Sequence, residues 1–461
     1  MKKTLIAIVL FALLAPCIKL YGQVDTVSNI SDGDKVYGLS KFWSEAANNF
    51  VFFDHAKIDW DSAYRAYIPK VLATKNTWDY YRVMKRFCSL LKDGHTNVYE
   101  PGSLYKGSRY RYINVENFDH RFYVTNIPVQ FKDLVPLGSE LISVDGRNIQ
   151  EYAQNELMPY ISASAPQQLW NDASVSMFYG TDSTRVWHLK LRTPKGDLVK
   201  YDYRFHPNRA QWAGPTNNVW KRFEFKKIED VGYIKINTFG DEKVIDDFKA
   251  ILPDLYTCKG VIVDIRRNGG GSTDIGAEIL KYFTDKKTLI GSKWKTRENL
   301  GAFKAWGQFQ LKDTTKFEHL SDWDKKTVLV AKGDYWYQGD TSSFNNNVTA
   351  KKISVPLVVL TSNYTASAAE DFLIILDGLK GRATVIGQRT FGSTGQPMTF
   401  DLPGGGNARI CTKRDTYPDG REFVGTGVKP DIEVPRNVND VILGRDTELE
   451  VALNEIKKQI K

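Results

Sequence analysis

The sequence is poor in the residues that build disulfide frameworks and metal clusters: 461 residues hold four cysteines and six histidines. Outside the N-terminal run only Cys88, Cys258 and Cys411 remain, far apart in the chain. They allow one disulfide at most and form no zinc-type pair. The histidines, at 55, 95, 120, 188, 206 and 319, include no pair at helical metal-ligand spacing, so neither a metal nor another cofactor is expected. With 17 prolines and 35 glycines, a fibrous or low-complexity chain is excluded. Long apolar runs are missing but for one, and the mean hydropathy of −0.38 excludes a multi-span membrane protein. A basic stripe is missing too. The net charge is +9, but pairs such as Lys286-Lys287, Lys325-Lys326 and Lys351-Lys352 are scattered, as on a solvated surface, which argues against a nucleic-acid partner.

What is present is globular: 42% hydrophobic and 25% charged residues, over a length that suits about two to four domains. The single apolar run, Leu5 to Leu14, follows Lys2 and Lys3 and is about half of the roughly 20 residues a spanning helix needs. It reads as a signal peptide over residues 1–22, cleaved after Gly22 to leave Gln23. Removing it takes away Lys2, Lys3 and Lys19 and lowers the net charge to +6. An uncleaved anchor helix is one alternative. A lipoprotein signal on Cys17 is another, although Pro16 stands where a small residue is expected. The expected location is periplasmic or extracellular, with no stable membrane span.

Three regions follow. Residues 37–100 read as a helical domain. Trp78, Tyr81, Met84, Phe87 and Leu91 fall on one helix face, and Asp93-Gly94 marks its end. Residues 101–205 read as β-rich, with strands Tyr110–Val115, Arg121–Ile127, Glu140–Val144 and Arg185–Leu191 and a hairpin turn at Asp145-Gly146. Residues 220–450 alternate strand and helix: Val231–Ile236, Gly260–Ile265, a helix over 273–283, Pro356–Leu360, a helix over 367–379, then Ala383–Ile386. That order predicts an α/β core on a largely parallel sheet. Residues 290–350 form a long mixed insertion, rich in aromatics and lysine, that the pattern does not place.

Three stretches could carry chemistry. Asn268-Gly269-Gly270-Gly271 lies between a buried strand and a helix, where backbone N–H groups are free for an anion. It lacks the spacing of a dinucleotide fingerprint and no Gly-Lys-Ser/Thr follows, which leaves an oxyanion hole or a plain tight turn. Ser367, in Thr365-Ala366-Ser367-Ala368-Ala369-Glu370, stands at a strand-to-helix turn, the place of an exposed nucleophile. Ser367 and Glu370 also have capping-box spacing. His95, in Asp93-Gly94-His95-Thr96, could supply the base a serine needs, or simply sit beside a helix end.

In order along nearly the whole mature chain, these stretches resemble peptidase family S41, the C-terminal-processing and tricorn-type serine proteases. The resemblance rests on Leu90-Leu91-Lys92-Asp93-Gly94-His95-Thr96, Gly138-Ser139-Glu140-Leu141-Ile142-Ser143-Val144-Asp145-Gly146, and the run from Gly260 to Gly271. Ser367-Ala368-Ala369-Glu370, Gly387-Gln388-Arg389-Thr390-Phe391-Gly392 and Gly427-Val428-Lys429-Pro430-Asp431 complete it. It implies a ClpP/crotonase-like protease core, a PDZ-like domain over 101–205, and peptide or unfolded-protein substrates. It also implies an acyl-enzyme on Ser367, with the N–H groups of Gly270 and Ala368 holding the oxyanion. C-terminal-processing members carry a lysine base directly after the glycine matching Gly392; here that residue is Ser393. The tricorn-like branch uses a histidine, which His95 matches, with a serine before it, where this chain has Gly94. A downstream glutamate completes the relay; Glu422 is the candidate, with Asp93 as an alternative partner for His95. A non-catalytic carrier of hydrophobic ligands or peptides on the same fold is the competing reading. The presence of both Ser367 and His95 speaks against it.

Overall fold

The computed structural model describes residues 30–105, 112–180, 182, 184–205, 211–215, 220–310 and 314–460. The expected signal segment, with Cys17 and the Gly22–Gln23 junction, lies outside them. Among the described residues no helix is long and apolar enough to cross a membrane.

The N-terminal region is built on three side-chain-capped helices, α1 (Asp32–Asn49), α2 (Trp60–Leu72) and α3 (Thr77–Cys88), with a single helical turn, Phe53–Ala56, between the first two. The side chains of Ser31, Asp59 and Asn76 each accept a first-turn N–H. The apolar face expected on α3 is the buried one, with Tyr81, Met84, Phe87 and, beyond the helix, Leu91. Phe87 stacks on Trp60 with ring centroids 4.3 Å apart. The helix ends differently from expectation. Lys92 (φ 51°) takes the left-handed position after a short turn, one residue before Asp93. Gly94 serves close approach instead: a Cβ there would lie 2.8 Å from the Gln168 amide oxygen and 2.9 Å from the Phe391 ring. Strand β1 (Asn97–Tyr99) follows at once.

The β-rich region holds β2 (Asn114–Phe118), β3 (Arg121–Asn126), β4 (Glu140–Val144), helix α4 (Pro166–Val175), β5 (Val186–Arg192) and β6 (Leu198–Arg204). They pair antiparallel in the order β2-β3-β4-β5-β6. Its own hydrophobic cluster includes Phe122, Val124, Leu141, Trp187 and Tyr203. The hairpin turn falls at Asp145-Gly146, as the sequence predicts, joining β4 to the short strand Arg147–Asn148.

The core is a six-stranded sheet built on β7 (Phe223–Ile228), β8 (Val231–Ile236), β9 (Gly260–Asp264), β10 (Leu357–Thr361) and β11 (Thr384–Gly387), with Ile432–Glu433 at the far edge beside β11. All pairs are parallel except β7–β8. Every residue of β9 and β10 is buried. Helices α5 (Thr273–Leu280) and α6 (Ala368–Asp377) pack together on one face, whose hydrophobic cluster continues into the N-terminal helices. Ala452 and Ile456 of the C-terminal helix α7 (Thr447–Ile460) pack on Ile262, Val358 and Leu360 on the other. A sheet covered on both faces is why these strands read as unbroken apolar runs. Beyond β11, β12 (Pro397–Leu402) and β13 (Gly406–Cys411) form a hairpin that takes β1 as a third strand, with Asn97 opposite Arg409. The insertion that the pattern did not place contributes Lys293–Arg297, which pairs with Trp336–Gln338 and with β14 (Arg414–Thr416), and a pair of helices, Gly301–Gln310 and Asp322–Lys332.

Candidate active site

Three parallel strands, β9, β10 and β11, end at the same edge of the sheet. There they lead into the glycine run, Ser367 and Ser393, at the carboxyl ends of the strands where α/β sheets place their sites. Ser367 immediately precedes α6 and holds φ 56°, ψ −126°, a conformation a side-chain-bearing residue adopts only at a cost of about 1–3 kcal/mol. The half-buried serine is therefore thrust out of the turn ahead of a helix N-terminus. The glutamate side of the capping box is formed as well, since Glu370 Oε2 accepts the Ser367 N–H at 3.2 Å. Cap and nucleophile are compatible roles at this position.

The glycine run lies against this turn. At Gly270 (φ 102°) a Cβ would come within 2.6 Å of Ser367 Cβ, 2.9 Å of the Ala366 carbonyl and 3.0 Å of the Ala368 nitrogen. The glycine is there to let the two turns touch. Its own N–H, however, donates to Asn268 Oδ1 at 2.9 Å. The next glycine, Gly271, forms no hydrogen bond through its N–H among the described residues, and neither does Ala368 at the first position of α6. Asn268, which the sequence reading passed over as part of the turn, is completely buried. It clamps both sides: its side chain holds Gly270 and its carbonyl accepts the Ala366 N–H at 3.0 Å.

His95 is buried (7% exposed) on a loop pinned from both ends. The Gly94 N–H donates to Ser164 Oγ at 2.8 Å, and Asp93 accepts from Ser164 Oγ at 3.1 Å and Thr96 Oγ1 at 2.6 Å. Asp93 is thus spent on neighbouring hydroxyls, not on the imidazole. His95 Nδ1 lies 2.7 Å from Ser393 Oγ. Burial above all, and then the charges of Arg409 and Lys413, push the imidazole down to about 3, so it is neutral at ordinary pH. Ser393 in turn accepts the Ser367 N–H on its carbonyl at 3.1 Å and donates its N–H to Glu370 Oε2 at 3.1 Å. Glu370 also accepts from Gly392 N–H at 2.8 Å and from the Thr390 hydroxyl. Burial pushes it up to about 8 against those donors.

Ser367, Gly270 and Ala368 are therefore gathered at one point, and His95 is joined to the same turn through Ser393. Glu422 is elsewhere. Its Oε1 accepts from Arg414 at 2.5 Å and its Oε2 stands 3.6 Å from His55 Nε2, in a half-exposed ion cluster with Asp54. The competing pull of Arg414, which the spacing could not reveal, holds it there.

Residues 230–434 match peptidase family S41, and residues 38–88 match the tricorn protease C1 domain. A carboxyl-terminal-processing protease of Picosynechococcus is 21% identical over 450 residues, covering 96% of this chain and 93% of the relative. The carboxy-terminal processing protease CtpB of Bacillus subtilis is 25% identical over 259 residues, 53% of this chain and 44% of that protein. In fold, the chain is similar to mature CPAF in its complex with lactacystin, with a TM-score of 0.67 at 16% identity over 93% of this chain and 99% of that one. The two family matches take in more than half of the chain between them, and together with the order of strands, turns and helices around Ser367 they place the chain in peptidase family S41, among the serine hydrolases.

Proposed function

We propose that the chain is a serine endopeptidase of exported or unfolded proteins and peptides, with Ser367 as nucleophile and His95 as base. The neutral imidazole takes the Ser367 Oγ proton as the oxygen attacks the scissile carbonyl, then returns it to the leaving amine; water releases the acyl group by the same route. The oxyanion donors are the Ala368 N–H and a glycine N–H of the triplet. Gly271 fits this second role better than Gly270, whose N–H is already held by Asn268. Each donor is worth on the order of 100-fold or more in rate. The observation that carries the reading is the strained Ser367 turn pressed against Gly270, with the Ala368 N–H at the start of α6 unpaired beside it among the described residues.

The β-rich region over 101–205 is the PDZ-like substrate domain of this reading. Support comes from β2, an edge strand with α4 packed next to it, a geometry suited to holding a peptide as an added strand. Export follows from the signal segment over residues 1–22, which leaves the mature chain starting at Gln23. The test compares the chain from Gln23 with its Ser367→Ala variant on an unfolded protein, reading fragments by mass spectrometry and Ser367 labelling with a fluorophosphonate. Cleavage and labelling by the first alone support the reading. Equal cleavage by both, or none with no adduct, overturns it.

A further inference from the structure

Glu422 is tied to Arg414 and Asp93 to hydroxyls, so the imidazole needs another holder. The structure assigns that role to Ser393: its Oγ accepts the Nδ1–H of His95, which fixes the tautomer that presents a bare Nε2 to the nucleophile. This rests on the reading of His95 as the base of Ser367.

Ser393 is fully buried and its three polar groups go to three parts of the site. Oγ meets His95 Nδ1 at 2.7 Å, the carbonyl accepts the Ser367 N–H at 3.1 Å, and the N–H is anchored on Glu370 at 3.1 Å. Glu370 belongs to the first turn of α6, the helix that Ser367 precedes. One residue thus ties the base and the nucleophile to the same helix start. A buried neutral imidazole has one donor and one acceptor nitrogen, and the partner of one decides the role of the other. A hydroxyl is a weaker holder than a carboxylate, but it suits a histidine already kept neutral by burial, because it adds no charge to the site. Ser393 acts through His95 and does not touch substrate; it is a positioning residue.

The test uses Ser393→Ala, which removes the acceptor, and Ser393→Cys, which nearly keeps the volume but is a poor acceptor. Turnover of a peptide is measured together with folding. The tautomer of His95 is read from the nitrogen resonances of ¹⁵N-histidine-labelled chain, assigned by difference with His95→Asn. Both variants should fold, keep KM within about threefold and lose kcat by on the order of 100- to 10,000-fold, the scale of losing the correct tautomer. The Nδ1-protonated form seen in the unsubstituted protein should disappear. Wild-type-like kcat in Ser393→Ala, an active Ser393→Cys beside an inactive Ser393→Ala, or an Nε2-protonated His95 in the unsubstituted protein would each overturn the assignment. If the unsubstituted protein neither cleaves nor labels, the peptidase reading fails on its own. The tautomer measurement, which needs no activity, still decides whether Ser393 holds His95.

Discussion

Replacing Gly270 by alanine puts a methyl group where the structure has none to spare. The new Cβ would lie 2.6 Å from Ser367 Cβ, 2.9 Å from the Ala366 carbonyl oxygen and 3.0 Å from the Ala368 nitrogen. Two of these three neighbours are backbone, and that backbone is fixed: Ala366 N–H is bonded to the Asn268 carbonyl at 3.0 Å and Ser367 N–H to that of Ser393 at 3.1 Å. A φ of 102° adds strain for any residue with a side chain. Strain of about 1–3 kcal/mol and overpacking of a similar size give an expected loss of about 2–6 kcal/mol. A typical domain stability of about 5–15 kcal/mol leaves a mostly folded protein. Its activity should fall much further than its stability. The methyl group occupies the gap between the glycine run and Ala368 N–H, and a displacement of about 1 Å at Ser367 costs on the order of 100-fold. Urea denaturation and the rate of fluorophosphonate labelling read the two effects separately. Gly269→Ala is the stability control: a Cβ there meets nothing within 4 Å, so its stability should stay within about 1 kcal/mol of the parent. If Gly270→Ala is as stable as Gly269→Ala and labels at the parent rate, the packing of the two turns described above is wrong.

Ser367→Gly should abolish labelling yet raise stability by about 0.5–2 kcal/mol in urea, because glycine relieves the positive φ at the cost of some chain entropy; a destabilised variant would deny the strain. His95 carries a pH signature. Its native value of about 3 lies below the ordinary 6.5, so between those values the unfolded chain binds a proton that the native state refuses. The stabilising contribution is complete above pH 6.5 and is lost as pH falls towards 3, by up to about 1.4 kcal/mol per unit. Urea melts between pH 4 and 7 should show this slope as the difference between the parent and His95→Asn. Glu370 and Asp415, held up at about 8 and 7, slope the other way but do so in both proteins. A difference that is flat across the window would place His95 in water. Arg266→Ala should cost about 3–5 kcal/mol, since Asp264, buried in β9, would lose the guanidinium that meets it at 2.7 Å and keep only two uncharged donors, the Tyr233 hydroxyl and the backbone N–H of residue 266; a loss under 1 kcal/mol in urea would contradict this.

The parts of the fold that a sequence can declare are those with one environment. The strands Gly260–Asp264 and Leu357–Thr361 are covered on both faces and read as apolar runs, and α3 announced its buried face at intervals of three and four. The insertion over 290–350 was opaque because its strands take partners from distant segments, Arg414–Thr416 among them, and because its aromatics stay partly exposed, as Trp306 and Trp323 do. In the site, Ser367 and the glycine run were legible from type and order. Asn268 and Ser393 were not, since a buried asparagine or serine differs from an exposed one only in its partners. Lys92 took the helix end expected of Gly94 because Gly94 is needed where Gln168 and Phe391 press in.

The residue after Gly392 has a particular meaning in this comparison. In the C-terminal-processing proteases, as the resemblance implies, a lysine base stands there, and the structure shows why the position can reach the nucleophile: its carbonyl is bonded to the Ser367 N–H. A serine is too short to be that base at neutral pH and its hydroxyl too weakly basic. It is long enough to hold one that arrives from another element. His95 comes in on the loop between α3 and β1, and β1 is stitched to the core hairpin through Asn97 opposite Arg409. In the proposed mechanism the base comes from the N-terminal region in exchange for the lysine of the core, and position 393 supports it. Such an exchange succeeds only in both halves at once. Ser393→Lys alone should therefore not yield a working Ser–Lys pair, because the ammonium would meet His95 where the hydroxyl stood, together with the existing charges of Arg409 and Lys413. Ser393→Lys with His95→Ala frees that space, and labelling of Ser367 should be faster in the double variant than in Ser393→Lys. The reverse order would show that position 393 does not face the histidine.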